Sequence, residues 1–262
     1  MEWLGKKTTA FLDEVGRLSF LGRDFLYWAF LAPLAGKRNF RRVAFAQQLV
    51  FMGNDSLFIV FLVALSVGAV LALQGAYQLN QFGAVLYTGA LVSVSMAREL
   101  GPIITATVIA GRVGASITAE LGTMKVQEEV DALVTMGIPP IPMLVVPRIL
   151  AMMVMLPCLT ILCLAIGIFG GYLIGTLSLG IDGDQFLHAS FNALAAKDIL
   201  TGIAKSFIFA LLVGLIATYK GLAVEGGAEG VGKATTQSVV LSIISIIIAD
   251  CISTAIFFYV FP

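Results

Sequence analysis

Charge is what this sequence has least of. Only 12% of its 262 residues are Asp, Glu, Lys or Arg, about half the share of a soluble domain. The net charge is zero, so there is no broad basic face of the kind that binds nucleic acid. Histidine occurs once, as His188 in a short polar connection, with no partners at metal-ligand spacing. The cysteines Cys158, Cys163 and Cys251 lie in apolar runs without a CxxC pair, and read as small buried hydrophobes rather than metal or redox centres. Alternating segments of about ten residues are missing, which excludes a transmembrane β-barrel. No basic start with an uninterrupted apolar core appears early in the chain, so no signal peptide is expected.

What the sequence has in excess is apolar length. Hydrophobic residues make up 59% of the chain and mean hydropathy is +0.98. Five runs reach the ~18 residues or more that cross a bilayer as a helix: Asp55 to Leu73, Val85 to Val113, Pro147 to Leu177, Ile199 to Tyr219 and Val239 to Phe261. Residues 1 to 30 differ. Leu4, Phe11, Val15, Leu18, Phe25 and Trp28 recur at helical steps, while Lys6, Lys7, Arg17 and Arg23 interrupt any spanning length. That pattern suits a helix lying in the membrane interface. Pro33 and Gly36 break it, the basic knot KRNFRR follows, and a second short helix is expected from Phe40 to Met52. The fold expected is an all-α integral membrane protein: interfacial amphipathic helices over 1–53, then a five-span domain over 54–262.

The connections alternate in character. QGAYQLNQFG (Gln74 to Gly83) has neither Lys nor Arg, and SLGIDGDQ (Ser178 to Gln185) is short and acidic, leading into a surface helix that ends at Asp198. The opposite connections are the charged segment Glu120 to Thr135, closed by GIPPIP, and the glycine-rich loop Glu225 to Gly232. Basic residues gather on that second side: the N-terminal region, then Arg112, Lys125, Arg148, Lys220 and Lys233, against Lys197 alone on the other. The positive-inside rule places the N-terminus in the cytoplasm, and five spans then leave the C-terminus outside.

Four ionisable side chains fall inside spans: Arg98, Glu99, Lys205 and Asp250. Each would cost roughly 2.5–3.5 kcal/mol at a helix centre if unpaired, so two neutralising pairs are expected, Glu99 with Lys205 and Arg98 with Asp250. Neighbours on a helix point about 100° apart, which makes a link between Arg98 and Glu99 themselves poor. Small residues line the second span in two rows, Ala106–Ala110–Gly114 and Gly111–Ala115–Ala119, and the third carries Gly167, Gly171 and Gly175. Such rows let helices approach closely in lipid. GAEGVGKA (Gly227 to Ala234) is a near-miss for a phosphate-binding loop, with Ala234 where Ser or Thr must hold magnesium. No nucleotide site is expected on this chain. Glu128, Glu129 and Asp131 form a carboxylate cluster on one short helix without His or Cys, which reads as a docking surface rather than a metal site.

RELGP (Arg98 to Pro102), AGRVGASITAELGTMKVQEEVDAL (Ala110 to Leu133) and GGAEGVGKATTQSVV (Gly226 to Val240) resemble the MlaE-type permeases of lipid-transporting ABC transporters. The similarity runs from about Phe40 onward. One departure is Glu128-Glu129, where the family commonly has Glu-Gln. The resemblance implies a homodimeric permease of the inner (plasma) membrane and a separate cytoplasmic ATPase that binds the ATP and Mg. It also implies an MCE-domain lipid-binding protein on the outer side. It matches Glu120 to Leu133 with the coupling helix, offering Glu120, Lys125, Glu128, Glu129 and Asp131 for ATPase contact within a segment of about 120–136. It also makes the outer end of the first span the wall of the lipid cavity, where Leu71, Gln74, Tyr77, Gln78, Leu79 and Phe82 combine apolar and amide groups suited to phospholipid. The residues themselves agree: no catalytic constellation supports an enzyme, no cofactor site is visible, and five spans are few to enclose a substrate path without a second copy. A gradient-driven secondary transporter of an amphipathic substrate is the alternative; it would show an inverted repeat, and none is found.

Overall fold

The computed structural model describes residues 16–31 and 42–260, and every regular element among them is helical. Helix α1 covers residues 16–31 and closes on a π turn at Tyr27–Leu31. The first part of the expected amphipathic helix and the basic knot before Arg42 lie outside the described residues. Helix α2 is Arg42–Asn80, and α3 runs over Val85–Val126. The short α4 is Glu129–Thr135. Then come α5 over Ile141–Leu177, α6 at Gly183–Ala193, α7 at Ala196–Leu222 and α8 at Gly227–Val260. Among the described residues, α2, α3, α5, α7 and α8 are the five helices long and apolar enough to cross a membrane. The protein is an all-α, multi-pass membrane protein.

Three expected boundaries are corrected, all for one reason. The short helix and the first span are a single helix of 39 residues, the second span continues to Val126, and the glycine-rich loop is helical from Gly227. Polar residues in the sequence read as breaks, yet a helix satisfies its own backbone whatever its side chains do. Most helix ends coincide with a positive φ, at Gly83, Glu128, Gly137, Gly180 and Gly226, whereas α6 ends on an extended Leu194. Of the glycines between Glu225 and Gly232, only Gly226 and Gly227 adopt positive φ, at 89° and 70°. Gly53-Asn54-Asp55 does not stop α2; Gly53 sits against Met155 of α5. At ~1.5 Å per residue, α2 is roughly 58 Å long and extends beyond the ~30 Å hydrocarbon layer.

Glycine sets the closest approach in the bundle. A Cβ at Gly68 on α2 would collide with the Gly167 carbonyl of α5, and one at Gly170 with the Leu65 carbonyl of α2. The expected row on α5 faces elsewhere: Gly167 meets Met96, Gly171 meets Val92 and Gly175 meets Phe186, so it seats α3 and α6. On α3 the two small-residue rows part company. Ala106 and Ala110 are fully buried and Gly114 packs on Val213 of α7, whereas Gly111 has nothing within 4 Å of a Cβ. Thr118 Oγ1 lies 3.1 Å from the Ala217 carbonyl and 2.9 Å from Ser238 Oγ, tying α3 to α7 and α8. Phe25 of α1 is buried with Val145 and Ile149 of α5, while Phe20 and Leu31 stay exposed. Helices α2 and α8 bury the smallest share of their apolar windows.

Candidate functional site

The charged groups of the spans meet between α3, α7 and α8. Lys205 is completely buried on α7. Its ammonium has three donors, and all three are used: to Glu99 Oε2 at 2.6 Å, Asp250 Oδ1 at 2.9 Å and Thr254 Oγ1 at 2.7 Å. Thr254 lies one turn beyond Asp250 on α8, and also lies 3.1 Å from Glu99 Oε1. The expected contact of Glu99 with Lys205 is therefore formed. The expected pair of Arg98 with Asp250 is not. Asp250 shares Lys205, and the Arg98 guanidinium donates through Nε to Asp198. The sequence pattern puts Asp198 at the end of a surface helix, outside the fourth span; α7 instead begins at Ala196, which sets Asp198 two turns from Lys205 on the same face. Its carboxylate is buried and also accepts the Ala195 N–H at 3.0 Å. A buried acid with that much to satisfy draws the nearest guanidinium.

The local backbone of α3 suits this arrangement. Arg98 and Glu99 stand in a π turn, Met96–Leu100, that carries the Gly101 N–H back to the Met96 carbonyl. Pro102 follows, with no N–H to give and a ring that crowds the preceding turn; the wider turn accommodates it. A second π turn, Ala110–Gly114, contains Arg112. Arg112 reaches α2, 2.9 Å from Ser56 Oγ and 3.5 Å from Asp55 Oδ2. The sequence does not signal that link, because Asp55 stands at the start of an apolar run.

The proposed lipid residues are placed apart from the charge cluster. Leu71, Gln74, Tyr77, Gln78 and Leu79 lie on the last turns of α2, and Phe82 in the turn that follows. Leu71 and Leu79 are half-buried, while Gln74, Tyr77, Gln78 and Phe82 are exposed. Tyr77 is 70% and Phe82 82% exposed. At the same end of the bundle, α6 and the start of α3 border a cavity of about 550 Å³ lined by Leu86, Tyr87, His188 and Asn192.

The other end carries the charged segment. Glu128 has φ of 60° and separates α3 from α4. Glu120 is held by Arg148 at 2.7 Å, and Asp131 by Lys125 at 2.8 Å. Glu128 and Glu129 are exposed. Within the proposed set, Glu120 and Asp131 are thus engaged inside the chain, and Glu128 and Glu129 face outward.

Residues 45–256 match the family described as Permease MlaE. The chain belongs to the MlaE permease family. The "Intermembrane phospholipid transport system permease protein MlaE" of Haemophilus influenzae is 37% identical over 256 residues, 97% of this chain and 96% of that protein. A "Probable ABC transporter permease protein" of Rickettsia felis is 38% identical over 257 residues, covering 98% and 97%. The chloroplast protein TRIGALACTOSYLDIACYLGLYCEROL 1 of Arabidopsis thaliana is 35% identical over 228 residues, 87% of this chain and 65% of that one. As an MlaE-family permease the chain is a membrane-embedded transporter subunit, and the buried cluster, the face of α2 and the α4 segment are parts of one permease fold.

Proposed function

We propose that this chain is the permease subunit of an ABC transporter that moves phospholipid between the inner membrane and an MCE-type carrier. The observation that carries the reading is the continuity of α3. One helix of 42 residues joins the intramembrane charge cluster to the exposed acidic step at Glu128 and Glu129, so substrate handling and an outside energy source share one element. The basic residues put α4 and the N-terminus in the cytoplasm and the C-terminus outside. There Glu128, Glu129 and their neighbours dock a separate ATPase that holds ATP and Mg; this chain binds no cofactor. The sparsely covered faces of α2 and α8 take a second copy of the chain, and the two α2 faces bearing Leu71, Gln74, Tyr77, Gln78, Leu79 and Phe82 enclose lipid acyl chains between them. The phospholipid named for the Haemophilus protein and the ABC label of the Rickettsia one support the substrate class and the coupling.

The test is purification of this chain with its ATPase, followed by lipid transfer in proteoliposomes. Glu128→Lys with Glu129→Lys should abolish ATP-driven transfer and weaken ATPase assembly while leaving the permease's thermal stability unchanged. Transfer driven by an ion gradient through this chain alone would overturn the reading. So would full transfer by the double reversal.

A further inference from the structure

Arg148 is a charge buried at the base of α5, 6% exposed and too deep for a docked protein to touch. Its Nη1 donates to the Leu144 carbonyl at 2.6 Å, and its Nη2 to Glu120 Oε1 of α3 at 2.7 Å. Its Nε has no partner among the described residues, so these two contacts carry the whole engagement. The local chain explains the first. Pro142 and Pro147 stand on either side of Leu144 and have no backbone N–H to give. The opening of α5, wound as the π turn Ile141–Val145, is therefore short of internal hydrogen bonds, and the guanidinium supplies one. The second contact closes a loop. Between Glu120 and Arg148 the chain leaves α3, forms α4 and enters α5, and these two side chains pin its ends together.

The helix α4 is thus held between two linked helices. Its Val130 and Leu133 share a buried cluster with Leu144, the residue whose carbonyl Arg148 holds, and Asp131 is tied to Lys125 of α3. Further along, α5 packs Gly167 against Gly68 and Gly170 against Leu65 of α2, just before Leu71, Gln74 and Tyr77. A displacement of α4 carried by α3 arrives at the charge cluster; carried by α5 as well, it arrives at the proposed lipid face of α2. A buried ion pair gains a fold little over a well-packed apolar pair, so stability alone does not account for a charge here. We infer that Arg148 and Glu120 are positioning residues of transport, which make α3 and α5 answer a displacement of α4 together. This inference rests on the coupling reading above and adds how the motion is divided between two helices.

The experiment uses the intact transporter in proteoliposomes, well below its thermal midpoint. It reads phospholipid transferred per ATP hydrolysed, beside co-purification of the ATPase. Glu120→Ala should keep the ATPase bound and hydrolysing while the ratio falls about tenfold, as expected for loss of one charge-assisted hydrogen bond. Glu120→Gln keeps an acceptor for Nη2 and should restore most of the ratio. A purely structural role would lower transfer and hydrolysis alike and leave the ratio unmoved. If Glu120→Ala does not fold, Arg148→Met with Glu120→Gln leaves no buried charge unpaired and should show the same tenfold loss. An unchanged ratio in whichever variant folds overturns the positioning role alone. Loss of ATPase co-purification from Glu120→Ala also overturns it, by making Glu120 a docking contact. A wild type that hydrolyses ATP without moving phospholipid overturns the transport reading and this inference with it.

Discussion

At the scale of single residues, Lys205 is the side chain on which most depends. Its removal strands two carboxylates at once, and breaking a buried charge pair costs roughly 3–5 kcal/mol. Glu99 is partly exposed, so the lower end of that range is expected. Lys205→Met should therefore lower the thermal midpoint far more than Asp250→Asn, which leaves Lys205 with Glu99 and Thr254. Adding Glu99→Gln to Lys205→Met should recover part of the loss; a double variant as unstable as the two singles summed would mean that these groups act independently. Glu128 makes the opposite prediction. A non-glycine residue in the left-handed region is held at a cost of roughly 1–2 kcal/mol. Glu128→Gly should raise the midpoint and Glu128→Val should lower it, and equal midpoints would show that the segment relaxes out of that conformation. How legible these residues were depended on isolation. Arg98, Glu99, Lys205 and Asp250 stood out as charges inside apolar runs, but the pairing needed Asp198, whose charge looked solvated because it sat in a polar stretch. Thr254 had a readable signal, one turn from Asp250, but a hydroxyl in a span does not announce itself as a charge does.

At the scale of elements, the sequence told where chain crosses lipid and understated how far each helix goes on. Apolar runs report burial in hydrocarbon; helix ends are decided by φ, which composition does not record. The small-residue rows were visible, yet which row packs inside was not, since both have the same spacing. That ambiguity becomes a prediction. Gly68→Ala and Gly170→Ala place a methyl group against a carbonyl of the facing helix, α5 or α2, which cannot yield without separating the helices, and both should lose most folded protein in detergent. Gly111→Ala meets nothing and should gain about 0.5–1 kcal/mol from helix propensity, read as a higher midpoint. If Gly111→Ala were as damaging as Gly68→Ala, the α3 face at Gly111 would be an interface in the assembled transporter. The face of α2 near Gln74 was recognised by resemblance rather than by spacing, because an aromatic and amide belt at a membrane boundary is ordinary.

At the scale of the whole molecule, α3 joins the charge cluster to the exposed acidic step. Its 42 residues make a rod of roughly 63 Å at ~1.5 Å rise, and a rod in which every hydrogen bond runs along the axis resists stretching. It yields more readily where that ladder is already widened, at the Met96–Leu100 and Ala110–Gly114 turns. The second of these is tethered to α2 through Arg112. If an ATPase docks at Glu128 as proposed, a push there would emerge as an angle rather than a change of length, with the Arg112 tether as fulcrum and Arg98 and Glu99 on the far arm. Spin labels at Ala119 and Val126 should keep their spacing when the ATPase binds nucleotide, while a label pair at Leu86 and Ala119 should shift. An unchanged Leu86–Ala119 distance would mean that the rod moves as one rigid piece. Two wide turns in a single helix would then serve as the joints of the proposed stroke, and its reach would depend on where along α3 those turns fall.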